Sequence, residues 1–212
     1  MNQTLPKQFI KLNNKPLFGY AVDAFLSAEN IDKILLVINQ EYEELYQEYI
    51  NNLNADKLEF IYGGATRQES VECAIDFLKN NASNDDVILL HDAARPLLDK
   101  EIIDANIDKC LETKEPVLTC VNIVDTIMDK EFNLLNRDNL IAAQTPQTFM
   151  FGQLKAVHEF ANTNNIKSAS DDIQLAKAYG LNIALVTGSK KNMKVTEIED
   201  IELIKLYLKV GE

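Results

Sequence analysis

The chain has 212 residues, enough for one α/β domain with a substantial core and too few for two full-sized ones, so residues 1–212 are expected to form a single domain. Asp and Glu number 33 against 21 Lys and Arg, and the formal net charge of −12 repels a nucleic-acid backbone while leaving room for a locally basic cleft that takes a small anion. Cys73, Cys110 and Cys120 are far apart, without a CxxC pair or metal-ligand spacing, and no apolar run exceeds strand length; the expectation is a reduced, cytoplasmic protein without a membrane span.

In chain order, Lys7 follows the rigid Pro6, and Asn14-Lys15-Pro16-Leu17 opens a helix in which Leu17, Tyr20, Ala21, Ala24 and Phe25 share one face. Strand-like runs follow at Ile34 to Ile38, Leu58 to Tyr62 and Val87 to Leu90. Helical stripes lie between and after them, Val71, Ala74, Ile75 and Leu78 in one and Ile103, Ile107 and Cys110 in the next. Val117 to Val121 reads as another strand. The stretch from Asn122 to Gln147 is too long for an ordinary connection and carries short strand patterns at Asp125 to Met128 and Leu140 to Ala143, so it is expected to leave the sheet as an arm. His158 falls in a helical pattern that predicts a solvent-facing or capping role. A strand over Asn182 to Val186 and a closing helix over Glu197 to Glu212, with Ile201, Ile204 and Leu208 inward, complete the chain. This alternation predicts an α/β fold: a mainly parallel, Rossmann-like sheet with helices on both faces and a protruding β-arm.

Two breaks follow strands and therefore fall at the carboxyl edge of the sheet, where open α/β folds bind ligands. Gly63-Gly64-Ala65-Thr66-Arg67-Gln68-Glu69-Ser70-Val71 offers open backbone to a flat base, or is a plain strand-to-helix turn. In His91-Asp92-Ala93-Ala94-Arg95-Pro96, Asp92 can face a metal or ribose and Arg95 a phosphate, or the two can lock the loop. Lys7 is either a fixed cation or a surface lysine. Asp125-Thr126, Arg137, Thr145-Pro146-Gln147 and Asn192-Met193-Lys194-Val195-Thr196 are unremarkable singly, yet five of these segments carry a cation in an acidic protein.

Together and in this order, PKQF, GGATRQESV, HDAARP, VDT, QTPQTF, SDD and NMKVTEIED resemble the 2-C-methyl-D-erythritol 4-phosphate cytidylyltransferase family of the non-mevalonate isoprenoid pathway; the related ribitol-5-phosphate cytidylyltransferases share much of the set. The resemblance implies transfer of CMP from CTP to a sugar-alcohol phosphate. It assigns Lys7, Arg137 and Lys194 to catalysis, and Gly64, Ala65, Ser70, Asp92 and Ala93 to CTP. Arg95, Asp125, Thr126, Arg137, Thr145, Ser170 and Lys194 would surround the sugar phosphate, with Ser170 standing where a threonine is usual. Asp92 would also meet Mg²⁺ carried by the triphosphate. A homodimer through the arm would deliver Arg137 to the neighbouring subunit's site. The chemistry suits such a set, because a phosphomonoester with a second pKa of about 6 is already nucleophilic. Positioning and charge neutralisation of two polyanions then replace a general base.

One departure stands out. Members of that family begin with a strand and a glycine-rich AAGxGxRM loop, and this chain has neither; Met1 falls where the methionine ending that motif would stand. The expectation is that the sequence starts at an internal methionine of a longer product, with first strand and loop missing from it. Competing with the enzyme reading is a catalytically inactive relative that binds nucleotide or a protein partner. If instead the protein truly lacks the loop, the strands flanking the lost one would be left with unpaired edges.

Overall fold

The computed structural model describes residues 6–53, 56–167 and 169–210; Met1, Leu5, Gly211 and Glu212 lie outside them, so expectations that fall on those residues have no counterpart here. A 3₁₀ turn at Lys7–Phe9 leads into a two-residue hairpin, β1 (Lys11–Leu12) with β2 (Lys15–Pro16), and then α1 (Leu17–Ser27). Next come β3 (Ile34–Ile38), α2 (Glu43–Ile50), β4 (Leu58–Tyr62), α3 (Arg67–Leu78), β5 (Val87–Leu90), α4 (Lys100–Thr113) and β6 (Val117–Asn122). A small hairpin, β7 (Ile127–Met128) with β8 (Leu134–Leu135), precedes β9 (Ile141–Met150), α5 (Phe151–Thr163), α6 (Asp172–Tyr179), β10 (Ala184–Thr187) and α7 (Ile198–Val210).

The sheet is mixed where a mainly parallel one was expected. Four strands run in the order β10-β6-β9-β5, with β10 parallel to β6 and β9 antiparallel to both its neighbours. The reason lies in the connection: β9 re-enters from the arm without a crossover helix, and a strand returning that way pairs antiparallel. The arm's own strands are β7 and β8, and the Leu140 to Ala143 pattern is instead the start of β9, whose second half from Gln144 onward is buried in the sheet.

Helices cover both faces. On one side Ala24 and Phe25 of α1 join Ile103 and Ile107 of α4 over Val87 and Leu89 of β5. On the other, Val71, Ile75 and Leu78 of α3 pack with Leu154, Val157 and Leu175 of α5 and α6 against Ile88, Leu90 and Phe149. The period-2 alternation of β5 thus feeds two cores.

β3 and β4 form a separate parallel pair. α1 also packs on it, Phe18 and Val22 meeting Leu36 and Ile38, and α3 contacts it from the opposite face. Two helices therefore straddle β3 and β5 as one layer, although among the described residues β3 pairs only with β4 and β5 only with β9. Ile34–Val37 and Val87–Leu90 are aliphatic yet only half-buried.

Candidate active site

Three segments are laced together at the carboxyl end of β5. The hydroxyl of Thr145 accepts from the Asp92 amide at 3.1 Å and lies 3.0 Å from His91 Nδ1, while His91 Nε2 is 3.1 Å from the Arg95 carbonyl. One proton arrangement satisfies all three contacts: Thr145 donates to Nδ1 and a neutral imidazole donates from Nε2. Burial pushes the His91 pKa down to about 4, which keeps the ring in that neutral form. The third segment joins through the fully buried Asn192, whose Nδ2 donates to the Thr145 carbonyl at 2.7 Å, and through the Val195 amide, which donates to the Ala94 carbonyl at 2.8 Å. Thr145 can reach the loop because β9 bulges there: pairing jumps from Leu118↔Gln147 to Cys120↔Ala143, a break that also accommodates Pro146 inside a strand.

A further segment is the turn after β4. A Cβ on Gly64 would fall 2.3 Å from Cβ of Glu69, and one on Gly63 would fall 2.6 Å from Oγ of Ser70, so the paired glycines are required by close approach of the turn to α3. Thr66 and Glu69 form a reciprocal capping box that fixes the start of the helix. Gly64 and Ala65 are left exposed beside Ser70, whose hydroxyl donates to the Thr66 carbonyl at 2.9 Å.

Asp92 is the electrostatic centre. Lys194 Nζ lies 2.8 Å from its Oδ2 and Arg95 Nε 3.9 Å. Burial acts to raise the Asp92 pKa, but the hydrogen bond and charge of Lys194, joined by the charges of Arg67 and Arg95, hold it below the ordinary carboxylate value. Arg95 is already committed: its guanidinium donates to the carbonyls of Asn192 at 2.8 Å and Ala143 at 3.4 Å, so it locks the loop as well as adding charge. Lys7 makes no hydrogen bond or ion pair with the Asp92 cluster among the described residues, but its charge is felt at Asp200, after the Lys194 segment. Ile10 and Leu12 pack with Val195, Ile201 and Ile204, and the charge of Lys7 adds to the Glu197 and Thr196 amides in holding the Asp200 carboxyl below its usual range.

Of the sequence candidates, Asp92, Ala93, Arg95, Thr145 and Lys194 form one connected cluster, and Gly64, Ala65 and Ser70 form a second group at the head of α3. Ser170 is exposed at the entrance to α6. Asp125, Thr126 and Arg137 are exposed on the arm, where the Arg137 guanidinium donates to the Val124 carbonyl at 2.8 Å and makes no hydrogen bond or ion pair with the cluster among the described residues. Sequence reasoning assigned no role to Arg67, whose charge reaches Asp92; its place between the paired glycines and Ser70 in GGATRQESV was the available signal. His158 is a correction: it is neither solvent-facing nor a cap but 2% exposed, with Nε2 3.0 Å from Oδ1 of the equally buried Asp172. Helical periodicity could not reveal a partner 14 residues away.

The family model for IspD, 2-C-methyl-D-erythritol 4-phosphate cytidylyltransferase, matches residues 1–210. The chain belongs to this family. Within it, the chain is 35% identical over 213 residues to the 2-C-methyl-D-erythritol 4-phosphate cytidylyltransferase of Clostridioides difficile (strain 630), an alignment that covers 98% of this chain and 88% of that protein. It is also 30% identical over 220 residues to the ribitol-5-phosphate cytidylyltransferase of Vibrio parahaemolyticus, covering 100% of this chain and 91% of that one. Among solved IspD structures, that of the Francisella tularensis 2-C-methyl-D-erythritol 4-phosphate cytidylyltransferase superposes with a TM-score of 0.83 at 30% identity, over 95% of this chain and 93% of that chain. The 4-diphosphocytidyl-2C-methyl-D-erythritol synthase of Anaerococcus prevotii gives 0.84 at 25% identity, with the same coverage.

Proposed function

We propose that this chain transfers the cytidylyl group of CTP to 2-C-methyl-D-erythritol 4-phosphate, giving 4-diphosphocytidyl-2-C-methyl-D-erythritol and pyrophosphate. The observation that carries the reading is the gathering of Lys194, Arg95 and Arg67 around Asp92 at the carboxyl rim of the sheet, in a chain whose net charge is −12. A phosphate oxygen of the sugar-alcohol phosphate attacks the α-phosphorus of CTP, and the bond from that phosphorus to the bridging oxygen breaks as pyrophosphate leaves. Gly64, Ala65 and Ser70 receive the cytosine, Asp92 and Ala93 the ribose and triphosphate, and Lys7 the charge that grows on the α-phosphoryl group. Arg95, Thr145, Ser170 and Lys194 surround the sugar phosphate.

Mg²⁺ fits this site as a companion of the triphosphate. Asp92 offers one carboxylate, and among the described residues no group of three or more His, Cys, Asp or Glu is placed to hold a metal. When bound, the ion supplies charge neutralisation of the phosphates, which themselves provide most of its oxygens.

The arm supports a homodimer. Val124, Met128, Phe132 and Leu134 are 64%, 53%, 85% and 69% exposed on it, an apolar surface that pairing with a second copy would cover. Asp125, Thr126 and Arg137 then act in the partner's site, so mixing subunits that carry Arg137→Ala with subunits that carry Lys194→Ala should restore activity to one site in the mixed dimer. All three cysteines are free, which suits a reducing cytoplasm, where we place the enzyme; no helix among the described residues is long and apolar enough to cross a membrane.

The whole-length similarity to a ribitol-5-phosphate cytidylyltransferase favours ribitol 5-phosphate as the second reading. Pyrophosphate release from CTP, measured in parallel with each sugar-alcohol phosphate, tests the choice. Higher kcat/KM with 2-C-methyl-D-erythritol 4-phosphate is expected, and the opposite order reassigns the substrate.

A further inference from the structure

Arg67 is the first residue of α3, directly after the glycine turn, and its Nη2 lies 2.7 Å from Oδ2 of Asp172, the first residue of α6. The two ends of this ion pair differ. The Asp172 side chain is 1% exposed, whereas that of Arg67 is 34% exposed and shows no second hydrogen-bond partner among the described residues. Asp172 is secured from three directions: His158 Nε2 meets Oδ1 at 3.0 Å, Arg67 holds Oδ2, and the Asp172 amide donates to Oε1 of the buried Gln147 at 3.1 Å. Among the described residues His158 Nδ1 has no hydrogen-bond partner and stands 3.7 Å from Glu72, so the imidazole is fixed by Asp172 rather than by a closed network of its own.

A pair of this kind is a poor source of stability, because removing a carboxylate and a guanidinium from water costs about what their contact returns. It does define a direction. The buried carboxylate grips one nitrogen of a rigid planar guanidinium that stays one-third exposed, and a planar fork of this kind suits phosphate oxygens. The same contact ties the head of α3 to the turn carrying Ser170 and Asp171, and the charge of Arg67 reaches both Asp92 and Asp171. Arg67 is thus fixed to the residue two after Ser170, with its charge felt at Asp92.

We propose that Arg67 is a further cation for the phosphate of the sugar-alcohol substrate, and that Asp172, backed by His158, is the positioning residue that aims it. This rests on the function proposed above.

The test uses the full chain with Arg67→Ala, Asp172→Asn and the double variant, reading KM separately for 2-C-methyl-D-erythritol 4-phosphate and for CTP, with thermal melting to verify folding. Arg67→Ala should raise the sugar-phosphate KM by about tenfold or more and move the CTP KM by no more than about twofold. Asp172→Asn should shift the same KM in the same direction, and the double variant should be no worse than Arg67→Ala alone. Arg67→Lys, which keeps the charge without the planar fork, should recover little. An unchanged sugar-phosphate KM in a folded Arg67→Ala protein overturns the proposal, as do fully additive effects in the double variant. Should Asp172→Asn fail to fold, His158→Gln takes its place in the same cycle. If the wild-type chain shows no turnover, the proposed reaction fails, and calorimetric titration of 2-C-methyl-D-erythritol 4-phosphate into wild type and Arg67→Ala decides the present point alone: weaker binding by the variant supports it, equal binding or none by either protein overturns it.

Discussion

Acidification isolates the device that organises the site. His91 is held neutral between Thr145 and Arg95, and its pKa falls from 6.5 to about 4 because burial disfavours the imidazolium. Above pH 6.5 the ring is neutral in folded and unfolded chains alike and contributes no pH dependence. Between 6.5 and about 4 the unfolded chain takes up a proton that the folded chain refuses, so stability is lost as the pH falls through that window. At ~1.4 kcal/mol per pH unit the full loss approaches about 3 kcal/mol. The depressed carboxyls of Asp92, Asp172 and Asp200 start from 3.8 and so act mainly below this window. Urea denaturation at half-unit steps from pH 7.5 to 4.5, in wild type and His91→Gln, measures the effect as a difference in slope. Wild type should lose stability more steeply than the variant below pH 6.5. Parallel curves would show that the ring protonates freely, and the Asp92–Thr145–His91–Arg95 chain of hydrogen bonds could not then be the element that holds the loop.

Lys7→Ala should lower kcat by about a hundredfold or more while changing CTP binding little, since its role lies in the transition state; equal losses in both, read by steady-state kinetics and calorimetry, contradict it. Gly64→Ala drives a methyl into Glu69 at the capping box and should cost about 2 kcal/mol in urea denaturation together with CTP affinity. Asn192→Ala, which strips the buried link between Thr145 and the Lys194 segment, should cost about 2 kcal/mol and raise KM for the sugar phosphate more than for CTP.

The α/β class and most elements were legible because their signals are local. Ile34–Ile38, Leu58–Tyr62 and Val87–Leu90 form strands where their runs stand, and Ile201, Ile204 and Leu208 do face inward on α7. The antiparallel entry of β9 was not legible, because Thr145-Pro146-Gln147 looks like a loop until the bulge opposite Leu118 and Cys120 is seen to absorb the proline. The same limit governs the site. Asp92, Arg95 and Lys194 announced themselves by type and motif, but whether Arg95 is a free cation or a lock depends on which carbonyls surround it, and periodicity carries no such information. His158 was misjudged for a related reason: its stripe on α5 is readable, whereas the carboxylate of Asp172 that makes its burial tolerable comes from another helix.

The central claim is that the cations gathered around Asp92 hold two polyanions in line for cytidylyl transfer. Phosphorus NMR of a mixture of this chain, CTP, Mg²⁺ and 2-C-methyl-D-erythritol 4-phosphate tests it directly, because every species involved has its own resonance. The account predicts a diphosphate diester and pyrophosphate appearing one for one as both substrates disappear, with the reaction nearly abolished in Lys194→Met. No change in the spectrum, or conversion of CTP to CMP and pyrophosphate with the sugar phosphate left intact, would contradict it and leave the chain as a nucleotide-binding relative.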